Sequence, residues 1–206
     1  MKFLGFDKVL CLSPHPDDVE YSMSGTILKY KDTHFDIVTL TSGGDFDDTN
    51  KAPRVTEVVN FWKGIENVSL QFGVNDSFKC MDEAAWINWI EKSYLDDHDA
   101  ILLTTEHDSH FEHRLVSKFG LALTRIKPIS LVEYMSPSTQ RTWQPNIFVD
   151  IFQQFGLKKT LLKKFKSQQG RSYFKSDQIN GFHTEFQCSK KGILTVEQFN
   201  IKQDFR

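Results

Sequence analysis

The chain has 206 residues, of which 39% are hydrophobic and 25% charged, and its formal net charge at pH 7 is −2. This length and composition are typical of one globular domain and exclude fibrous and disordered proteins. The balanced charge provides no basic field for nucleic acid, and the apolar runs are far shorter than the ~18 residues of a membrane span. The N-terminal segment lacks the apolar core of a signal peptide, so we expect a cytoplasmic protein.

Short strand-like segments alternate with helical segments through the first two thirds of the chain. This alternation predicts a single α/β domain over residues 1–206, with a mostly parallel, Rossmann-like sheet flanked by helices and a less regular C-terminal third. The predicted strands are at 9–12, 35–40, 68–72, 99–104, 129–132 and 146–150. The predicted helices are at 19–30, 55–63, around 86–90, around 115–126 and at 152–166, before an irregular or extended tail.

Three cysteines, Cys11, Cys80 and Cys188, are too few and too widely spaced for a disulfide framework or a CxxC metal site. Cys11 lies within an apolar run. We therefore expect it to be a small buried residue.

The first candidate motif, SPHPDD, follows the first predicted strand and contains His15, Asp17 and Asp18. Pro16 disfavours a helical conformation for His15, so the histidine should stay in the turn while the aspartates enter the next helix. His15 and Asp18 then face a common point, where an imidazole and a carboxylate suit Zn²⁺ or another first-row divalent ion. Two aspartates at a helix start also complement the helix dipole, and the motif alone does not separate the two interpretations.

The second candidate motif, TTEHDSHFEHR, begins where the fourth predicted strand ends and contains three of the seven histidines. A lone histidine is more often a surface or capping residue. Three histidines at one strand-to-helix turn can supply a metal ligand and an acid–base group together. The first of them, His107, receives no assignment.

The topology of the sheet is predicted to bring the two motifs together. In a doubly wound sheet of order 3-2-1-4-5, strands one and four are neighbours where the strand order reverses, and ligands bind beyond their carboxyl ends. His15, Asp18 and one histidine of the second motif would form a three-ligand site with an open position for water, as in catalytic zinc sites.

Two further residues are predicted to transfer protons. Asp17 cannot point where Asp18 points, which leaves it free to act as the general base. An amide nitrogen must be protonated before it leaves, and His110, three residues before His113, is predicted to serve as the acid. Glu112 is close enough in sequence to hold an imidazole in the required tautomer.

The two motifs resemble the signature of a known family. PHPDD at 14–18 with Gly25-Thr26, and HFEHR at 110–114, are similar to the motifs of the PIG-L (LmbE-like) family of metal-dependent N-deacetylases, whose second motif is usually HPDHR. Further similarities, which extend the resemblance over nearly the whole chain, are TLTSGG at 39–44, Arg54, Glu57, Asp76 and Ser167-Gln168. The departures are Val19 in place of Glu, Phe111 and Glu112 in place of Pro and Asp, and a bulkier segment at 22–25.

The resemblance implies a zinc ion held by His15, Asp18 and His113, with Asp17 as the base and His110 as the acid or electrostatic stabiliser. The donor set of two histidines and one aspartate also accommodates Fe²⁺.

The resemblance further implies that Arg54 and Asp76 hold sugar hydroxyls. An ion pair of Arg54 with Glu57, and a turn cap made by Asp76, explain the same residues equally well.

The predicted function is therefore metal-dependent hydrolysis of the N-acetyl group of an amino sugar or a GlcNAc-containing conjugate. Hydrolysis of another N-acyl or ester bond, and a degenerate member with a binding role, are the alternatives. The expected partner is a small N-acetylated sugar, and no nucleic acid is predicted. The sequence leaves homo-oligomerisation open.

Residues outside the motifs are predicted to be structural or exposed. His34, His98 and His183 are expected on the surface, and the acidic run at 45–48 is expected to form a solvated turn. In the helix at 152–166, Leu157, Leu161, Leu162 and Phe165 are predicted to face the core, and Lys158, Lys159, Lys163, Lys164 and Lys166 the solvent. Docking of a phosphate or an anionic surface on these lysines is the minority interpretation.

Overall fold

A computed structural model of the chain describes residues 1–43, 51–75, 78, 82–186 and 193–205. The strands are β1 (Lys8–Ser13), β2 (His34–Thr41), β3 (Val68–Asn75), β4 (Ala100–Thr104), β5 (Ser130–Tyr134), β6 (Ile147–Asp150), β7 (Thr184–Phe186) and β8 (Ile193–Gln203). The helices are α1 (Asp18–Lys29), α2 (Lys51–Trp62), α3 (Glu83–Tyr94), α4 (Phe111–Leu123), α5 (Phe152–Leu162) and α6 (Ser176–Phe182). Asp76, the acidic run at 45–48, Cys80 and Cys188 lie outside the described residues.

The described strands form one sheet in the order β3-β2-β1-β4-β5-β8-β6, with β7 also paired to β8. The strands from β3 to β5 are parallel, and β8 runs antiparallel to β5, β6 and β7. The predicted α/β fold and the predicted order of the first five strands are confirmed. The tail is more regular than predicted, because β8 pairs with three strands that lie earlier in the chain.

The core occupies both faces of the sheet. Alternate residues of β1 point to opposite sides: Val9 and Cys11 join the cluster with α1, α2, α5 and α6, and Leu10 and Leu12 join the cluster with α3 and α4. The predicted burial of Cys11 is thereby confirmed. Among the described helices, none combines the length and apolar character needed to span a lipid bilayer.

Two histidines predicted to be exposed are buried. The Nε2 atom of His98 lies 2.9 Å from Oδ2 of Asp36, and its Nδ1 lies 2.6 Å from the carbonyl of Tyr94. His183 is fully buried, and its Nδ1 donates to the carbonyl of Ile179 at 2.8 Å. The surface prediction is wrong for both, because the rings of His98 and His183 hydrogen-bond within the protein, His98 through both nitrogens and His183 through Nδ1.

The helix predicted at 152–166 ends earlier than expected, and two of its residues differ from the prediction in their burial. It stops at Leu162, and a 3₁₀ turn follows at Lys166–Gln168. Lys158 is fully buried against Glu197, whereas Leu157 is 50% exposed. The predicted exposure of Lys158 is wrong because its ammonium group has a buried carboxylate partner. The predicted burial of Leu161, Leu162 and Phe165 is confirmed, whereas that of Leu157 is wrong because this residue lies on the solvent-facing side of α5.

Candidate metal centre

The two sequence motifs meet beyond the carboxyl ends of β1 and β4, which are parallel neighbours in the sheet. One potential ligand atom from each of His15, Asp18 and His113 lies within 4.8 Å of the others. Nδ1 of His15 is 3.1 Å from Oδ2 of Asp18, and Nε2 of His113 is 3.3 Å from Oδ1 of the same carboxylate. The structure thus brings the three predicted metal ligands to one point.

The turn after β1 holds Asp17 in a left-handed backbone conformation. Its φ is 116°, which is unfavourable for a residue with a side chain. The backbone N–H of Asp17 donates to Oε2 of Glu20 at 3.1 Å, and Glu20 also accepts from Nε1 of Trp62 at 2.7 Å. Glu20 is fully buried and received no role in the sequence analysis. The family commonly has Glu at the position of Val19, and in this chain Glu20, one residue later, supports the turn.

Asp108 orients the histidine of the second motif. Its fully buried carboxylate accepts from Nδ1 of His113 at 3.0 Å and from the backbone N–H of His110 at 2.7 Å, and Ser136 Oγ donates to it at 2.5 Å. This leaves Nε2 of His113 facing Asp18. Asp108 was missed in the sequence analysis, although it lies in the second motif, because spacing does not tell which acidic residue there faces inward.

The start of α4 depends on a small residue further along the helix. A Cβ on Gly120 would lie 2.1 Å from Cδ2 of Leu103 in β4. The missing side chain allows α4 to approach the sheet closely, which brings His113 near the end of β1.

Glu112 contacts the imidazole of His15. Its Oε2 lies 2.5 Å from Nε2 of His15, so both ring nitrogens of His15 face carboxylates. The backbone N–H of Glu112 donates to Nδ1 of His110 at 3.3 Å. Nε2 is therefore the nitrogen of a neutral His110 that carries the proton.

Arg54 pairs with Asp17. Its Nη2 donates to Oδ1 of Asp17 and to the carbonyl of Pro16, both at 2.9 Å, and its Nη1 donates to the carbonyl of Gly43 at 2.6 Å. Glu57, the alternative partner considered from the sequence, instead accepts two hydrogen bonds from Ser167 in the turn after α5.

The charge distribution fits a divalent cation. Burial disfavours charged imidazoles, but the carboxylates around them outweigh it and raise the pKa of His15 to about 9 and that of His113 to about 10. Despite its own burial, Asp18 has a pKa well below the usual range because it lies between these two histidines. The buried carboxylate of Asp18 thus lies between two protonated imidazoles. A divalent ion that displaces one proton from each imidazole would supply the same two positive charges, so this donor set fits a metal.

The pKa values of Asp17 and His110, which flank the three predicted ligands, shift in opposite directions. Burial raises the pKa of Asp17 to about 6, although Arg54 opposes the rise. Burial and the positive charge of His15 and His113 lower the pKa of His110. One oxygen of Asp17, Oδ2, is buried without a hydrogen-bond partner among the described residues.

The sequence model of the PIG-L family, described as GlcNAc-PI de-N-acetylase, matches residues 10–124. The chain belongs to the PIG-L family. The membership predicted from the two motifs is therefore confirmed, together with the de-N-acetylase class of activity that the family description names. A comparison with curated proteins finds no match.

Several solved structures share the fold. The chain is similar to an N,N'-diacetylchitobiose deacetylase from Pyrococcus horikoshii, with 20% identity and a TM-score of 0.74 over 97% of this chain and 85% of that one. A pseudoaglycone deacetylase for the antimicrobial A40926 has 14% identity and a TM-score of 0.70 over 97% and 99% of the chains. A 4-carboxy-2-hydroxymuconate hydratase from Pseudomonas putida has 14% identity and a TM-score of 0.71 over 100% and 98%. Because the last catalyses another reaction, the fold by itself does not determine the chemistry.

Proposed function

We propose that this PIG-L family member is a zinc-dependent hydrolase that removes the acetyl group from the nitrogen of a GlcNAc-containing molecule, releasing acetate and a free amine. The observation that carries the proposal is the convergence of His15, Asp18 and His113 to within 4.8 Å, with Asp17 and His110 beside them. The name of the similar N,N'-diacetylchitobiose deacetylase points to an N-acetyl bond, and the A40926 pseudoaglycone enzyme is also named a deacetylase.

His15, Asp18 and His113 would hold the ion. When bound, zinc would polarise the acetyl carbonyl as a Lewis acid and would lower the pKa of water, so that water gives up a proton and becomes a better nucleophile. Asp108 fixes the tautomer of His113, with the proton on Nδ1 and Nε2 free to bind metal. Two histidines and one aspartate also accommodate Fe²⁺, and the metal content of the purified protein distinguishes the ions.

Asp17 is proposed as the general base. Arg54 holds its Oδ1, so Oδ2, which has no hydrogen-bond partner among the described residues, is the atom that accepts the proton of the attacking water. With a pKa of about 6, the carboxylate is mostly ionised at pH 7 and yet basic enough to share a proton.

His110 is proposed as the electrostatic stabiliser and the acid. Its lowered pKa leaves it neutral at rest, with the proton on Nε2. A neutral Nε2–H donates a hydrogen bond to the oxygen that becomes negative during attack. To protonate the departing amine as an acid, the ring must then receive the proton taken up by Asp17.

The binding of sugar hydroxyls by Arg54 and Asp76 remains a prediction. Three of the five N–H groups of Arg54 donate to Asp17, Pro16 and Gly43. The two that remain among the described contacts are the second hydrogen on Nη1 and the buried Nε–H. This geometry supports a further role of Arg54 in holding the base.

The test is release of acetate and free amine from a panel of N-acetylated sugars and GlcNAc conjugates, with N-acetyl amino acids and acetyl esters as comparison substrates. We expect the zinc-loaded protein to prefer the sugars and the His113→Ala variant to lose both zinc and activity. Preference for the amino acids or esters would contradict the sugar assignment. A purified chain that binds no divalent metal would contradict the whole proposal and support a binding role.

A further inference from the structure

The loop after β5 brings hydroxyl groups to the candidate metal centre, although the sequence analysis gave none of its residues a role. Ser136, Ser138 and Thr139 belong to the segment SPST at 136–139, which we call the hydroxyl loop. It follows β5, the parallel neighbour of β4, so it leaves the sheet at the same edge as the second motif. The fold thereby places the hydroxyl loop beside a motif that precedes it by almost 30 residues, since Ser136 and Asp108 are 28 residues apart.

Backbone contacts hold the hydroxyl loop against the second motif. The N–H of Ser109 donates to the carbonyl of Ser138 at 3.0 Å. Next to this bond, Asp108 and Thr139 form an antiparallel bridge. Because the backbone fixes the position of the hydroxyl loop, the removal of one side-chain hydroxyl should leave the loop in place.

The hydroxyl of Ser136 contacts the carboxylate that orients His113. Its Oγ donates to Oδ2 of Asp108 at 2.5 Å, and the same oxygen accepts from Nδ1 of His113 at 3.0 Å. Oγ1 of Thr139 is 3.4 Å from this oxygen, which is long for a hydroxyl hydrogen bond. Ser136, Asp108 and His113 are 1%, 0% and 3% exposed, so bulk solvent cannot replace a lost donor.

The imidazole of His113 has a second acceptor within reach. Oγ of Ser138 lies 3.4 Å from its Nδ1 and would allow another orientation of the ring. The O–H of Ser136 keeps Oδ2 of Asp108 beside Nδ1, and in this orientation Nε2 of the ring lies 3.3 Å from Oδ1 of Asp18. Groups that orient a ligating histidine in this way raise metal affinity without contacting the ion.

We propose that Ser136 is a positioning residue of the candidate metal centre. Its hydroxyl holds Asp108, and Asp108 holds His113 in the orientation that binds a metal, so this role rests on the metal-dependent function proposed above. Ser136 acts through two other side chains. Metal affinity is therefore the quantity that should respond to its loss, and it can be measured without any turnover.

The experiment measures the zinc Kd of the full chain and of three variants by competition with a chelator. Ser136→Ala removes the hydroxyl, and Ser136→Thr retains one. Ser117→Ala is the matched control, because Ser117 is also 1% exposed and lies in α4 with His113, and its Oγ has no hydrogen-bond partner within the described part of the chain. We expect the Kd of Ser136→Ala to rise about tenfold or more, and the other two to stay within about threefold of the native value. Thermal melting checks that each variant folds.

A second measurement follows the hydrogen bond of His113 in the metal-free protein. Its Nδ1–H, bonded to a buried carboxylate, should give a low-field proton NMR signal that is missing from His113→Ala. We expect Ser136→Ala to shift this signal or to broaden it through faster exchange with water. Ser117→Ala should leave it unchanged, because a purely structural effect of losing a buried hydroxyl does not act on that bond.

Two results would overturn the positioning role alone. A native zinc Kd in Ser136→Ala would show that the hydroxyl does not position His113. Equal weakening in Ser136→Thr and Ser136→Ala would show that the packing of the loop matters and the hydroxyl does not.

The outcome for the proposed function is separate. A native chain that binds no zinc would overturn the proposed function and the role of Ser136 together. If Ser136→Ala alone weakens zinc binding and the native protein releases no acetate from any sugar, the positioning role is supported and only the proposed activity is contradicted.

Discussion

The surroundings of Asp17 leave one of its carboxylate oxygens available to accept a proton. Asp17 has a left-handed backbone, and Arg54 donates to its Oδ1. Within the part of the chain that the structure describes, its Oδ2 has no hydrogen-bond partner. Strained backbone of this kind persists where the surrounding structure holds it, often at functional sites.

We expect Asp17→Asn to retain zinc and to lose about 10²- to 10⁴-fold in kcat, because a neutral amide cannot accept the proton of water. Acetate release and metal content, measured on the same sample, check this. The control is Asp177→Asn, which alters an exposed aspartate in α6. Turnover of Asp17→Asn at the native rate would show that another group is the base.

The effect of Arg54 on Asp17 can be tested through the pH dependence of kcat/KM. Its positive charge lowers the pKa of Asp17 against the effect of burial, so Arg54→Met should raise that pKa above about 6. Because the ionised carboxylate is the active form, the acidic limb of kcat/KM should move to higher pH, by about 1 to 3 pH units.

Arg54→Lys, which keeps a positive charge, should show a smaller displacement of the acidic limb. A raised KM with an unchanged pH profile would instead show that Arg54 binds the substrate, as the family resemblance implies.

Among the helices and strands, α1 is held in position by contacts with β8. Eleven of the twelve residues of α1 are buried, and Glu197 of β8 accepts from the backbone N–H groups of Gly25 and Thr26 at 2.8 and 2.6 Å. A Cβ on Gly25 would lie 2.8 Å from Cδ1 of Ile151 and 2.9 Å from Oε1 of Glu197. This close approach explains why glycine is needed at that position of the first family motif, and it positions the helix that begins at Asp18.

We expect Lys158→Met to destabilise the protein by about 3 to 5 kcal/mol, because it leaves the buried carboxylate of Glu197 without its cation. Urea unfolding at pH 7 measures the change. Lys159→Met is the matched control, since the next residue along α5 has no carboxylate partner among the described residues and should change stability little. Equal effects of the two substitutions would contradict this account of the buried pair.

At the scale of the whole molecule, metal binding is coupled to protonation and to stability. At pH 7 both His15 and His113 are protonated in the metal-free protein, since their pKa values are about 9 and about 10. Zinc needs neutral imidazoles, so its binding at pH 7 should release about two protons. Titration calorimetry in two buffers of different ionisation enthalpy measures this number, and a value near zero would contradict the charge pattern.

The same pKa values determine the sign of the pH dependence of stability. The folded state raises both above the ordinary value of 6.5, so the stabilisation is complete below about pH 6.5 and is lost as the pH rises through 9 to 10. We therefore expect the Tm of the metal-free protein to fall over this interval. Zinc at about 100 times its Kd should add about 2.7 kcal/mol, and the His113→Ala variant should show no such gain.

The amino-acid sequence was sufficient to predict the fold class, the order of the first five strands and the positions of the two motifs at strand ends. These follow from local information: apolar periodicity marks the elements, Pro16 keeps His15 out of the helix, and the reversal of strand order brings the ends of β1 and β4 together. Each of these rules acts between residues that are near in the chain or in the sheet topology.

Which group each acidic residue contacts in the candidate metal centre could be learned only from the three-dimensional contacts. Asp108 holds His113, Glu112 contacts His15, and Glu20 supports the turn at Asp17. The burial of Lys158, against a partner 39 residues away, also became known only from these contacts. The physical reason is that the free energy of a buried charge depends on its partner, and nothing in the local pattern shows where a partner from a distant segment will lie.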